Sequence, residues 1–233
     1  MRGHRCPGPR VEAVQPKRTA QAARSLLESA AVYAVFCSLG LASRAVPSMF
    51  VLFVAYGIAF PLLWAGLRKE WVGIGFTRRN LAAAIAWGVA GGILWGAYTY
   101  VAFGQQAERP PLLGLQIAIG LPIWLLIMSP FQEFFFRGWL QGRLRETVGR
   151  GWALSLSSVA FTAWHFFPDF EATPTATLPL SSPLGIISTL SAGLLFGYLY
   201  DRSHNIVAPW LAHALAGVAL VLLGRMTFVQ YVP

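Results

Sequence analysis

Seven stretches of mostly apolar residues, at about 25–43, 48–67, 81–103, 112–146, 152–167, 184–200 and 205–223, occupy most of this 233-residue chain. A run of about 20 apolar residues in a helix crosses roughly 30 Å of hydrocarbon. Within lipid, a helix also pairs all of its own backbone polar groups. Only 12% of the residues are charged and 56% are hydrophobic, with a mean hydropathy of +0.56. A soluble domain carries about 25% charged residues. The expected fold is therefore all-α: a polytopic helical membrane protein with about seven to eight transmembrane helices around a polar intramembrane cavity.

The net charge of +9 suggests a nucleic-acid partner until its distribution is considered. The basic residues gather in an N-terminal tail and in alternate loops. Arg68, Lys69, Arg78 and Arg79 fall on one side, with Arg143, Arg145, Arg150 and Arg202. Arg44, Arg109 and Arg225 fall on the other, with Asp169 and Glu171. That is the positive-inside pattern, with the N-terminus in the cytoplasm and the C-terminus outside. No nucleic-acid partner is expected; the partners are membrane lipid and a transmembrane or lipidated protein substrate. The localisation is a cell (inner or plasma) membrane, in bacteria the inner membrane.

Residues 1–24 read as a disordered basic cytoplasmic tail, 25–103 as scaffold helices and 112–223 as a catalytic membrane domain. The tail lacks the ordered features of a cleaved signal peptide. Cys6 and Cys37 lie in unrelated settings, so no disulfide framework is expected. Glycines recur at four-residue spacing in the third span (Gly88, Gly92, Gly96) and the sixth (Gly193, Gly197), which lets helix backbones approach closely.

The fourth apolar segment is too long for one straight crossing, since 112–146 would extend about 50 Å. Pro122 and Pro130 allow it to bend. It carries Gln132, Glu133 and Arg137 among Phe, Trp, Leu and Ile. Glu133 and Arg137 are four apart and share a face, so they can form an ion pair. Gln132 points about 100° away. A charge near the bilayer centre costs at least about 2.5–3.5 kcal/mol, so such residues face the protein interior.

Two histidines complete a constellation. His165 follows Phe161 by four residues in the fifth span, and His213 precedes Gly217 by four in the seventh. Counted at about 1.5 Å per residue from the loops on the basic side, Glu133, His165 and His213 lie about 15–21 Å deep. A buried carboxylate with two imidazoles suits activation of water for attack on a carbonyl, one His assisting the base and one donating to the oxyanion. Two His and a carboxylate would also satisfy zinc with an open position, although no HExxH is present.

At these residues the chain resembles the CPBP family of intramembrane proteases, also called Abi or CAAX-processing proteases. The family pattern of EExxxR, FxxxH and a late HxxxN reads here as QEFFFR (132–137), FTAWH (161–165) and HALAG (213–217). The resemblance covers about 112–220. It implies a metal-free, cofactor-free peptidase in which glutamate and the first His activate water, while the late His and Asn hold the oxyanion. Two positions depart from the pattern: Gln132 replaces the first Glu, and Gly217 replaces the Asn. The sequence thus points to Glu133, His165 and His213 as catalytic residues, with Gln132, Arg137, Phe161 and Gly217 in support. The alternative is an inactive relative, a pseudoprotease that binds membrane segments as a scaffold or regulator. A zinc hydrolase and a small transporter, which also gathers polar groups at broken helices, stand behind it.

Overall fold

The computed structural model describes residues 16–104, 110–168 and 182–229. Among them are seven helices and no strands: α1 (Pro16–Ala45), α2 (Met49–Arg68), α3 (Leu81–Phe103), α4 (Leu113–Val148), α5 (Arg150–Trp164), α6 (Pro183–Ser203) and α7 (Val207–Leu222). Five of these are long and apolar enough to cross a membrane; α7 is apolar but shorter, and α5 has 15 residues. The protein is an all-helical, polytopic membrane protein, as the apolar runs lead one to expect. Residues 1–15 of the expected basic tail lie outside the described residues, and α1 begins at Pro16. Arg109, Asp169 and Glu171, which entered the topology reading, also lie outside them.

The unusually long α4 is continuous but not uniform. Trp124–Met128 and Phe134–Gln141 are π-helical, on either side of the α-helical turn Ser129–Glu133. Pro130 has no N–H to give the preceding turn, and its ring crowds the carbonyl four residues back. A wider π turn just before it relieves both problems, and such turns often mark functional sites.

Around α4 the apolar side chains decide which way it faces. Phe36 of α1 is fully buried, and its ring stacks 4.1 Å from that of Phe135. Phe53 of α2 meets Phe36 at 4.7 Å and Phe131 at 4.9 Å, both edge to face. Trp164 of α5 closes the cluster, 5.4 Å from Phe131. Rings prefer such offset and edge-on contacts. Phe131, Phe135 and Phe136 are therefore anchored on α1, α2 and α5 with no exposure. On the other side of the bundle, α3 lies closely along α7. A Cβ at Gly88 would come within 2.8 Å of the Ala208 carbonyl, and one at Gly92 within 2.6 Å of Leu215 Cβ, so only glycine allows this approach.

The two ends of the bundle are distinct. Arg143 at the end of α4 pairs with Glu28 of α1 at 3.4 Å. Arg145 and Arg150 both reach the buried Asp201 of α6, at 3.4 and 2.9 Å. The segment between α2 and α3 is fastened at this same end: Tyr200 donates to the Gly73 carbonyl, and Asn205 donates to the Thr77 and Arg79 carbonyls. At the opposite end Arg44 donates to the carbonyls of Phe166 and Phe167, tying the end of α1 to the end of α5.

Candidate active site

The aromatic anchoring of one face of α4 turns Gln132, Glu133 and Arg137 toward α5, α6 and α7. Arg137 donates to Glu133 Oε1 at 3.2 Å, the ion pair that their spacing allows. Its second guanidinium nitrogen, Nη2, donates to the Gly193 carbonyl of α6 at 3.1 Å. The guanidinium plane lies 4.1 Å over the ring of Phe161. Arg137 is 1% exposed and Glu133 not at all. Two full charges at that depth are tolerable because they face each other and are hydrogen-bonded on several sides.

Glu133 has a second partner. His213 Nδ1 lies 2.6 Å from the same oxygen, Oε1. A carboxylate paired with an arginine accepts only, so Nδ1 is the donor, and in the neutral ring Nε2 keeps its lone pair. The His213 ring stacks on Phe196 at 4.8 Å and 22°, which fixes its plane. Glu133 Oε2 has no hydrogen-bond partner.

A cavity of about 220 Å³ lies beside this cluster. Gln132, His165, His213 and Gly217 line it, together with Trp124 and Phe161; Glu133 does not reach it. Gln132 donates to the Met128 carbonyl at 3.2 Å, and its Oε1 is buried without a partner. His165 sits just past the last turn of α5, half-buried, with Nδ1 2.7 Å from the Phe161 carbonyl. Since a carbonyl oxygen only accepts, Nδ1 is the donor in that contact. Both imidazoles lie against Phe161, His165 at 4.9 Å and His213 at 6.0 Å between ring centroids.

The structure thus brings all seven sequence-derived residues into one region, with a division that the sequence leaves open. Gln132 faces the cavity, whereas Glu133 faces Arg137 and His213. Among the described residues no three of His, Cys, Asp and Glu form a metal-binding group. The sequence reading missed Trp124. It lies 5.7 Å from His213 by ring centroids, and its indole occupies the space where a side chain at Gly217 would stand. The one available signal was the pairing of a small residue at 217 with a large one on a neighbouring helix, which no local pattern reveals.

Residues 114–219, a little under half of the chain, match the family described as type II CAAX prenyl endopeptidase Rce1-like. No curated protein matches the chain, and no solved structure does. The matched segment contains all three motifs, from QEFFFR through HALAG, in the order that the CPBP resemblance requires. The segment from α4 into α7 is accordingly similar to the Rce1-like family, a membrane-embedded CAAX-protease-like group.

Proposed function

We propose that this protein is an intramembrane peptidase in which Glu133 and His213 act as a dyad that activates water at the cavity floor. The observation that carries the reading is the 2.6 Å contact between His213 Nδ1 and Glu133 Oε1, with the other face of His213 lining the cavity. A carboxylate that accepts the hydrogen bond of an imidazole Nδ1–H orients the ring and stabilises the imidazolium that forms when Nε2 accepts a proton. Arg137 keeps the carboxylate in place. On this reading Glu133 is a positioning residue and His213 the base.

The steps balance without a cofactor. A water attacks the carbonyl carbon of the scissile peptide while His213 Nε2 takes one of its protons. His165, which lines the cavity beside His213, orients the nucleophile. The tetrahedral oxyanion is met by an amide N–H of Gln132, a neutral side chain that can donate but cannot serve as a base. The imidazolium then protonates the departing amine, the C–N bond breaks, and a carboxylic acid and an amine are formed, the acid's proton passing to the amine as the two leave as carboxylate and ammonium. The apolar lining suits a membrane-embedded or lipidated protein segment as substrate.

A second reading rests on Gln132 itself, which puts an amide at the cavity floor where a carboxylate base would be most direct. On that reading the chain is a pseudoprotease that binds membrane segments. Cleavage of a single-pass membrane protein in liposomes, with and without EDTA, separates the two. Wild-type cleavage that survives EDTA and is lost in His213→Ala supports the peptidase. A silent wild type that becomes active as Gln132→Glu supports the binding protein instead.

A further inference from the structure

We infer that the cavity takes substrate from the non-cytoplasmic side of the membrane, so the peptidase cuts segments presented in the outer half of the bilayer. This assignment deepens the peptidase reading and rests on it for the word substrate. Its ground is the relation of the cavity to the two ends of the bundle. The cavity is lined by Phe50 at the start of α2, Thr99 near the end of α3, Thr189 near the start of α6 and Leu220 near the end of α7. Each lies at the end of its helix away from the basic residues. Arg68, Arg143, Arg145, Arg150 and Arg202 belong to the opposite end, where Glu28 and Asp201 hold three of them. Among the described residues only Arg44 and Arg225 are basic and lie toward the cavity end.

Excess Arg and Lys mark the cytoplasmic ends of membrane helices. Gln132 is eleven residues before Arg143, about 16 Å along α4, so the floor is near the middle of the bilayer and the rest of the cavity is beyond it. Phe50, Thr189 and Leu220 toward the far end are half-buried, while Gln132 and His213 at the floor are buried. A chain offered from the cytoplasm would have to pass the Arg145–Asp201–Arg150 lock and the buried Trp139, Leu140 and Leu144 of α4. The fitting substrate is therefore a membrane segment that enters through the outer half of the bilayer and carries its scissile bond to the floor near the midplane.

Thiol labelling in a bacterial inner membrane tests this without needing turnover. In a full-length Cys6→Ser, Cys37→Ala background, Thr189→Cys and, independently, Leu220→Cys report the cavity, and Glu146→Cys reports the basic end. A membrane-impermeant maleimide should modify the cavity positions in spheroplasts and Glu146→Cys only in inside-out vesicles. Cavity positions labelled from the same side as Glu146→Cys, or from neither side, overturn the assignment. If labelling is as expected but no peptide is cut, the peptidase reading fails while the direction of access stands.

A second, independent observation concerns Trp124. Its indole lies in contact with the open face of Gly217, lines the cavity and is 5% exposed, yet Nε1 has no hydrogen-bond partner. An indole N–H only donates. We propose that Trp124 Nε1 donates to the oxyanion, supplying from α4 what glycine at 217 cannot supply from α7. This too rests on the peptidase reading. Removing one such donor lowers transition-state stabilisation by about 10²–10³-fold. The test is binding of a hydrophobic peptidyl phosphonate, a tetrahedral anion mimic, compared with the neutral peptide amide of the same sequence. Trp124→Phe should weaken the phosphonate by about 10²-fold and leave the amide unchanged. The double variant Trp124→Ala, Gly217→Asn, which makes room for an amide donor, should restore most of the difference. Equal effects on both ligands, no effect, or a wild type that does not prefer the phosphonate overturns the role.

Discussion

Replacing Glu133 with Gln preserves the volume of the side chain but removes the anion that faces Arg137. Arg137 is 1% exposed, so the guanidinium is left desolvated without a counter-charge. Breaking one side of a buried pair typically costs about 3–5 kcal/mol. The amide oxygen of Gln still accepts one hydrogen bond, which offsets about 1 kcal/mol. The Gly193 carbonyl and the Phe161 ring keep Arg137 in place. The expected net loss is about 2–4 kcal/mol. For a chain of this size, that is a fall in Tm of roughly 5–15 °C, read by thermal unfolding in detergent. Activity should fall further than stability. The amide N–H can donate to His213 Nδ1 and drive the ring proton to Nε2, where no lone pair then meets water. An equivalent change in a carboxylate–histidine pair lowers kcat by about 10⁴-fold. The double variant Glu133→Gln, Arg137→Met removes both charges and should recover Tm but not cleavage. A Glu133→Gln protein with native Tm and native cleavage would refute both the ion pair and the dyad.

Three further outcomes follow from the same geometry. His165→Ala should lower kcat by roughly 10²-fold, because on the proposed reading the ring orients the nucleophile; it also removes the contacts to the Phe161 carbonyl and the Trp164 ring, so cleavage is measured on protein whose melting is followed alongside. Gly217→Ala places a Cβ in collision with the Trp124 indole and should cost about 1–3 kcal/mol by overpacking, read as a lower Tm. Phe36→Ala empties the centre of the ring cluster on α1 and should cost about 3–5 kcal/mol, enough to lower the yield of folded protein in gel filtration.

The spans were legible because lipid imposes one period and one length on every crossing helix, and α1 to α7 fall close to the apolar runs. The Glu133–Arg137 pair was legible because four residues in a helix make neighbours. His165 and His213 could be placed by counting residues from the basic loops. Other features depended on contacts between distant parts of the chain. Asp201 gives no sign in sequence that Arg145 and Arg150 will converge on it from α4 and α5. Trp124 looks like one more apolar residue until α7 brings Gly217 beneath it. The two π-helical stretches shift the phase of α4 on both sides of Glu133, so a 3.6-residue period cannot say which of two adjacent polar residues meets the cavity.

That choice is decided by rings rather than by the polar residues themselves. Turning α4 by about 100° would carry Glu133 into the cavity in place of Gln132. The same turn would pull Phe131, Phe135 and Phe136 off Phe36, Phe53 and Trp164, and all three phenylalanines are fully buried where they stand. Exposing a buried Phe forfeits about 1.5–3 kcal/mol, so three of them outweigh any gain from seating one carboxylate against water. The turn would also break the Arg137 contacts to Gly193 and Phe161. A direct role for Glu133 as base therefore asks the scaffold to come apart. A role through His213 asks for nothing to move: the carboxylate stays dry beside its arginine, and the imidazole carries its influence to the cavity floor.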